Sequence, residues 1–204
     1  SRRYILVQLP EPLDPENKDQ QIPSNFCAKL EKPLNIGELT KERLRRASTK
    51  TSASNPMFTG DIGFRVFKLD TSNIRSWNPI RDDIEGSLIS HLDHIEPDRS
   101  NDDVLYEVLI KFGLDLCVPI GHRDIAGKLV HSIGGGTLMA CLDEHISVAD
   151  AEPLSLGIAA WREEQVTAGA TTAVFRDSAF ENDVTKSNLA AILEQHGIKQ
   201  VRSL

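Results

Sequence analysis

Two polar side chains at the end of a short apolar run are the strongest candidates for ligand binding. Residues 4–9 are β-formers or apolar except for Gln8, and Pro10 and Pro12 end the run abruptly. Near-continuous apolar character is typical of a strand covered on both faces in a parallel sheet. Ligands of open α/β sheets bind at the carboxyl ends of strands, so Gln8 and Glu11 lie where a nucleotide-like ligand would be held. The simpler interpretation is a strand with a proline-rich turn and no ligand.

A second strand with an acidic end is predicted at residues 63–70, where apolar and basic side chains alternate up to Asp70. Residues 36–51 are rich in helix formers and predict a helix between the two strands. Strand, helix and strand over this length indicate a parallel crossover unit with both strand ends on one edge. We therefore expect Asp70 on the same edge as Gln8 and Glu11.

Three further patterns are weaker candidates for a functional site. His91 and His94 lie three residues apart on a predicted helix, but no third metal ligand is placed, which favours exposed polar residues. Three glycines at 134–136 lack the spacing and following helix of a phosphate loop, and favour a hairpin turn. The His-Arg-Asp at 122–124 resembles part of a kinase catalytic loop, without support elsewhere in the chain. No catalytic residue and no metal ligand is predicted.

Composition bounds the class of protein. The 204 residues are 40% hydrophobic, enough for a core, and 23 Lys and Arg against 30 Asp and Glu give a net charge of −7. That balance argues against a nucleic-acid binder driven by overall charge. Three widely spaced cysteines fit a reducing cytosol. The sequence has no run of about 18 apolar residues, so it predicts no membrane span. A first residue, Ser1, directly before a strand suggests either an excised domain or the back half of a longer protein.

Positive charge is concentrated in the predicted helix at residues 36–51. Basic residues in its last turns complement the helix dipole. A solvated helix face is the favoured interpretation, and contact with DNA phosphate is the alternative. The basic residues are Lys41, Arg43, Arg45, Arg46 and Lys50.

The elements of the remaining chain predict a second α/β unit. We expect an exposed irregular loop at 14–33 and a linker at 51–60, and the composition changes near Pro79. The predicted elements after Pro79 are a helix at 80–95, a helix capped by 100–103 and ended by Gly113, strands at 128–133 and 137–142, one or two helices at 148–168 interrupted near Pro153, a strand at 171–176, a helix at 183–196 and a strand at 198–202.

Three stretches together resemble the modification (Mod) subunits of bacterial type III restriction–modification systems. Residues 2–12 are similar to the segment after the glycine-rich S-adenosylmethionine motif of that family, and residues 63–73 to its next sheet segment. Residues 174–180 resemble its C-terminal signature, which continues through Asn182, Asp183, Lys186 and Asn188. The resemblance covers essentially the whole chain, in the order of the family.

This resemblance implies part of an adenine-specific DNA methyltransferase, which transfers a methyl group from S-adenosylmethionine to a flipped adenine. In this permuted class an Asp-Pro-Pro-Tyr motif, a target-recognition region and a Phe-x-Gly-x-Gly loop precede the segment seen here, and this sequence contains none of them. The expected fold is α/β: a remnant of a Rossmann-like methyltransferase sheet at 1–78, followed by a small α/β C-terminal domain at 79–204 for assembly or dimerisation. The expected location is the bacterial cytoplasm.

The resemblance also implies the cofactor-binding residues. Related methyltransferases end their second strand in an acidic residue that holds the ribose hydroxyls, and the alignment puts Gln8 there, with Pro10 and Glu11 following. A carboxylate accepts both hydroxyl protons, whereas an amide offers one acceptor and one donor, so either Gln8 or Glu11 can hold the ribose. Asp70 would approach the adenine.

Two functions follow from the resemblance. In the first, the chain supplies one wall of the S-adenosylmethionine pocket of an enzyme that acts on DNA, and it contributes no catalytic base. In the second, it is a non-catalytic module that pairs with a second Mod subunit or with the restriction (Res) subunit.

Overall fold

The structure is a computed structural model that describes residues 3–75, 94–167 and 169–204. The chain divides into two compact units, Ser1–Lys68 and Leu69–Leu204. This division lies before the predicted one at 78/79. Residues 72 and 73 belong to the second unit because both hydrogen-bond to Glu107, which lies in a helix of that unit.

The first unit contains two helices, α1 (Gln21–Lys29) and α2 (Ile36–Ser54). The prediction of an irregular loop at 14–33 is wrong, because α1 occupies its second half. Pro23 is the third residue of α1, where a backbone N–H has no partner within the helix, so this proline is compatible with the first turn.

Helix α2 confirms the prediction for residues 36–51 and continues to Ser54. Its start is fixed by Asn35, whose side chain accepts a hydrogen bond of 2.9 Å from the Glu38 N–H. None of its 19 residues is buried. Such a helix depends on its own side-chain pairs and on its ends, because burial contributes little to it.

The predicted strands at the start of the chain and at residues 63–70 are not strands in this structure. Residues 3–11 and 61–70 have no regular secondary structure. A strand needs a neighbour for its backbone groups, and the described strands all lie at residues 120–203, where they pair with one another. The predicted crossover unit of the first 78 residues is therefore wrong for the chain by itself.

The second unit is built on a five-stranded mixed sheet whose strands follow chain order. Strands β1, β2 and β3 are antiparallel neighbours, and β3, β4 and β5 are parallel neighbours. The elements are α3 (Asn101–Lys111), β1 (Ile120–Ile125), β2 (Lys128–Ile133), β3 (Leu138–Cys141), α4 (Val148–Glu164), β4 (Thr172–Phe175), a 3₁₀ turn (Asp177–Ala179), α5 (Asp183–Gln195) and β5 (Gln200–Ser203).

Helices cover both faces of this sheet. Alternate residues of β3 point to opposite faces, so Met139 and Cys141 join the cluster under α4 and α5, whereas Leu138 and Ala140 join the cluster under α3. The α3 cluster is completed by the helix residues Val104, Leu105, Val108 and Leu109. The predicted α/β class is thus confirmed as a mixed α/β fold with five described helices.

Local signals in the second unit predict most of its elements. Helix α3 begins with a capping box between Ser100 and Asp103, and Gly113 follows its end with a positive φ of 67°. The glycines at 134–136 form the turn of the β2–β3 hairpin, all with positive φ. The predicted strand–helix–strand at the end is confirmed as β4, α5 and β5.

Two predictions for the second unit need correction. Helix α4 is a single helix that passes through Pro153 without interruption. No element is predicted at residues 120–125, where β1 lies, because Gly121 and the polar residues after it hide the alternation of a strand. Strand β1 is an edge strand whose middle residues are exposed, so polar residues suit it. The predicted helix at 80–95 lies largely outside the described residues, and only its last two residues are described.

No helix in the described part of the chain combines the length and the apolar character needed to cross a bilayer.

Candidate functional site

The three cofactor residues predicted near the start of the chain lie on an exposed segment without regular secondary structure. The Gln8 side-chain amide donates to the carbonyl oxygen of Leu9 at 3.1 Å, and the Glu11 side chain is exposed beyond Pro10. The Glu11 carbonyl oxygen accepts a hydrogen bond of 3.1 Å from the Ile36 N–H. The segment is therefore anchored at the start of α2, while the side chains expected to hold a ribose face solvent.

The apolar side chains before these residues are exposed on both sides of the segment. Ile5 is 91% exposed and Val7 93%, while Tyr4 and Leu6, which alternate with them, are 55% and 57% exposed. The composition predicts burial of these side chains on both faces, but in the structure they are exposed to solvent. An exposed apolar surface of this kind is typical of a site where another element docks.

The first unit has almost no apolar core. Leu13 and Cys27 are the only buried apolar side chains among its described residues. A domain of this size needs far more burial to offset the conformational entropy of ordering its chain. Its exposed large apolar side chains are Tyr4, Ile5, Leu6, Val7, Leu9, Ile22, Met57, Phe58, Val66 and Phe67.

Asp70 belongs to the second unit, where its carboxylate is engaged by protein groups. One oxygen accepts from the Thr71 N–H at 2.8 Å, and the other lies 3.4 Å from a guanidinium nitrogen of Arg99. Arg99 also donates to the Thr71 hydroxyl at 3.0 Å. The structure therefore places Asp70 in an ion pair, and in a different unit from Gln8, Pro10 and Glu11.

A carboxylate that the sequence did not point to, Glu107 in α3, holds the next residues of the segment. It accepts from the Ser72 hydroxyl and from the Asn73 N–H, each at 2.6 Å, and Lys111 lies 3.0 Å away. Partial burial disfavours its charged form, but these hydrogen bonds and the ion pair outweigh burial and hold the pKa of Glu107 below its usual range. This cluster fixes residues 72 and 73 on α3.

The stretch that resembles the C-terminal signature of Mod subunits lies at the carboxyl end of β4. The Arg176 side chain is buried, donates to the Ser178 hydroxyl at 3.0 Å and lies 3.6 Å from a carboxylate oxygen of Glu144. Asp177 forms an ion pair with Lys186 of α5, and the hydrogen bond from Lys186 lowers the pKa of Asp177. Arg176 and Asp177 are therefore each engaged by another charged side chain of the second unit.

Backbone hydrogen bonds join this stretch to the ends of the neighbouring strands. The Asp177 N–H donates to the Leu204 carbonyl at 3.1 Å, and the Leu204 N–H donates to the Phe175 carbonyl at 2.9 Å. The Ile146 N–H donates to the Ala179 carbonyl at 2.7 Å. The signature thus ties the ends of β4 and β5 to the segment that follows β3.

This edge of the sheet offers little room for a cofactor. Ligand crevices of α/β sheets form where strand order reverses, and the described strands run in chain order without a reversal. An opening at this edge has a volume of about 250 Å³, below the range of typical ligand sites. Its lining residues are Phe175, Phe180, Lys186, Ala190, Val201, Arg202 and Ser203.

The remaining candidates have structural roles or fall outside the description. His91 lies outside the described residues. No group of three His, Cys, Asp or Glu side chains converges as a metal site in the described ranges. Arg123, from the kinase-like triplet, lies 4.8 Å from the ring centroid of Trp161 and pairs with Glu164 at 2.7 Å. Burial raises the pKa of the Cys141 thiol to about 12, so it is not a nucleophile near neutral pH.

The two units differ strongly in charge. The first carries twelve Lys and Arg against eight Asp and Glu, a net charge of +4, whereas the second carries eleven against twenty-two, a net charge of −11. The overall value of −7 conceals this asymmetry. Counting charge separately for each unit would have found the signal in the sequence, but the unit boundary comes from the structure.

Comparison of the chain with protein-family models, with curated proteins and with solved structures found no match.

Proposed function

We propose that this chain is the C-terminal portion of a DNA adenine methyltransferase, the Mod subunit of a bacterial type III restriction–modification system in the cytoplasm. Its first unit completes one wall of the S-adenosylmethionine pocket in a Rossmann-like sheet. The catalytic motif and the glycine-rich loop come from chain outside these 204 residues. Gln8 or Glu11 contacts the ribose, next to Pro10.

One observation carries this proposal: the first unit has strand-forming apolar segments but almost no core. Residues 4–9 carry the side chains of a strand buried on both faces, yet they are exposed. A parallel sheet supplied by further chain would give this segment backbone partners and cover it. The order of the three resembling stretches supports the identification of that sheet with a methyltransferase.

Titration calorimetry with S-adenosylmethionine tests the proposal on two proteins, the 204-residue chain and the complete gene product. We expect micromolar binding by the complete protein and no measurable binding by the chain alone, which lacks the glycine loop for the methionine end of the cofactor. Micromolar binding by the isolated chain, or none by the complete protein, would contradict the proposal.

The packing of the second unit favours the alternative, an interaction module that pairs with another Mod or Res subunit. Helices cover both faces of its sheet, so this unit has a core of its own without any methyltransferase element. Sedimentation equilibrium at high concentration tests self-association. A strict monomer would count against dimerisation through this unit, while the calorimetry decides whether the complete protein is an enzyme.

A further inference from the structure

Helix α2 presents a basic stripe to solvent. Arg43, Arg46 and Lys50 are spaced by three and four residues, which puts them on one side of the helix. All three are exposed. The opposite side is held by Ser48, whose hydroxyl donates to the Ile62 carbonyl at 2.8 Å. The stripe thus lies on the side of α2 opposite the Ile62 segment.

Two members of the stripe have no counter-charge within the described chain. Neither Arg43 nor Lys50 forms an ion pair with another described residue. Arg46 donates to Glu42 at 2.8 Å and lies 4.8 Å from the ring centroid of Phe26. Exposed pairs of this kind are weak, so Arg46 can exchange Glu42 for another anion.

The charge of the whole first unit has the same sign as the stripe. A unit at +4 attached to a unit at −11 is a strong separation of charge for one chain, and such asymmetry is typical of proteins that contact nucleic acid with one part. A single strand of duplex DNA carries one phosphate per about 3.4 Å of axis. The seven residue-to-residue steps from Arg43 to Lys50 span about 10.5 Å, which matches about three phosphates.

We propose that the α2 stripe (Arg43, Arg46 and Lys50) binds the phosphate backbone of duplex DNA. This inference rests on the proposed function and deepens it, because it names the part of the chain that contacts the DNA substrate. Guanidinium and ammonium groups on a regular helix contact phosphates without reading bases, so the contact positions the DNA and does not select a sequence.

The composition of α2 argues against an anionic membrane as the partner. A helix that lies in a membrane interface needs a face of large apolar side chains opposite its basic face. Between residues 43 and 54 the only large apolar side chain is Leu44. The residues flanking the stripe are Ala47, Thr51 and Ser54, which give a lipid surface little to bury.

Fluorescence anisotropy with a labelled random-sequence duplex tests the proposal on the 204-residue chain from 50 to 200 mM NaCl. We expect the logarithm of the binding constant to fall with the logarithm of salt concentration with a slope of about −3, for three contacts. The double variant R43Q/K50Q should have a slope of about −1 and bind about tenfold more weakly at 50 mM NaCl.

The matched control is K18Q/K32Q, which removes the same charge from exposed positions of the first unit outside the stripe. It should change the affinity less than twofold. Equal losses in the two double variants, an unchanged slope in R43Q/K50Q, or equal binding to phosphatidylserine vesicles or polyglutamate would overturn the DNA contact. Failure of the wild-type chain to bind the duplex would also overturn it, whereas methyl transfer by the complete protein would still support the proposed function.

Discussion

At the residue scale, the side chains that the sequence indicates as ligand contacts differ from the side chain that makes the long-range hydrogen bonds described above. Gln8 and Glu11 are exposed on a segment without regular secondary structure, and Asp70 is paired with Arg99. The carboxylate of Glu107 has three partners, although Glu107 looks in the sequence like an ordinary exposed position of a helix. Its partners at residues 72 and 73 are more than thirty residues away in the chain, and such contacts leave no local pattern.

We predict that Glu107→Gln destabilises the second unit by about 2 kcal/mol at pH 7, because it weakens two hydrogen bonds to a charged acceptor and removes an ion pair. Since the folded state lowers the pKa of Glu107 from 4.5, its stabilisation is present above the unfolded pKa and is lost as the pH falls through the folded one. The difference between wild type and variant should therefore shrink below about pH 4.5 in urea denaturation.

Glu163→Gln serves as the control for that series, because Glu163 is exposed near the end of α4. Its free energy of unfolding should stay within about 0.5 kcal/mol of wild type. A loss in Glu107→Gln that persists unchanged to pH 3.5 would show that the charge of Glu107 is not the source of the stabilisation.

At the element scale, the sequence predicts elements well where local chemistry determines them. The capping box at Ser100, the glycines at 134–136 and the stop at Gly197 set boundaries by themselves. Residues 4–9 carry the composition of a strand, but pairing is a property of neighbours that composition does not supply. Edge strand β1 shows the opposite case. It pairs with β2, but its sequence has the composition of a loop, so the composition does not predict it.

Close packing of α4 on β1 gives a prediction at this scale. A Cβ atom added at Gly157 would lie 2.3 Å from Cγ2 of Ile125, which is buried in the core. Alanine gains about 1 kcal/mol in helix propensity over glycine, but overpacking costs about 1–3 kcal/mol. We expect Gly157→Ala to lower the free energy of unfolding by about 1 kcal/mol, measured by urea denaturation.

A double-mutant cycle with Ile125→Ala, which removes the clashing methyl group, identifies the cause. The free energy of unfolding that the double variant loses should be smaller than the sum of the losses in the two single variants. Additive effects, or a Gly157→Ala variant more stable than wild type, would mean that α4 and β1 are not in such close contact.

At the scale of the whole molecule, the two units differ in how completely each buries its apolar residues. The second unit has clusters on both faces of its sheet, whereas the described part of the first buries only Leu13 and Cys27. We therefore predict that a fragment of residues 69–204 unfolds in one cooperative thermal transition followed by circular dichroism. A fragment of residues 1–68 should show partial helicity and no cooperative transition.

The converse result has a clear meaning. Cooperative unfolding of residues 1–68 by themselves would show that the first unit is complete. The exposed apolar segments would then be a surface feature of a finished domain, and the case for a sheet completed by further chain would fail.

Methyl transfer by the complete gene product tests the central claim most directly. The protein is incubated with duplex DNA and S-adenosylmethionine labelled in its methyl group, and the DNA is digested to nucleosides. We expect label in N6-methyldeoxyadenosine from the complete protein, a strong reduction when Gln8→Ala and Glu11→Gln are combined, and no label from the 204-residue chain alone. A complete protein that binds DNA but transfers no methyl group to adenine would contradict the central claim.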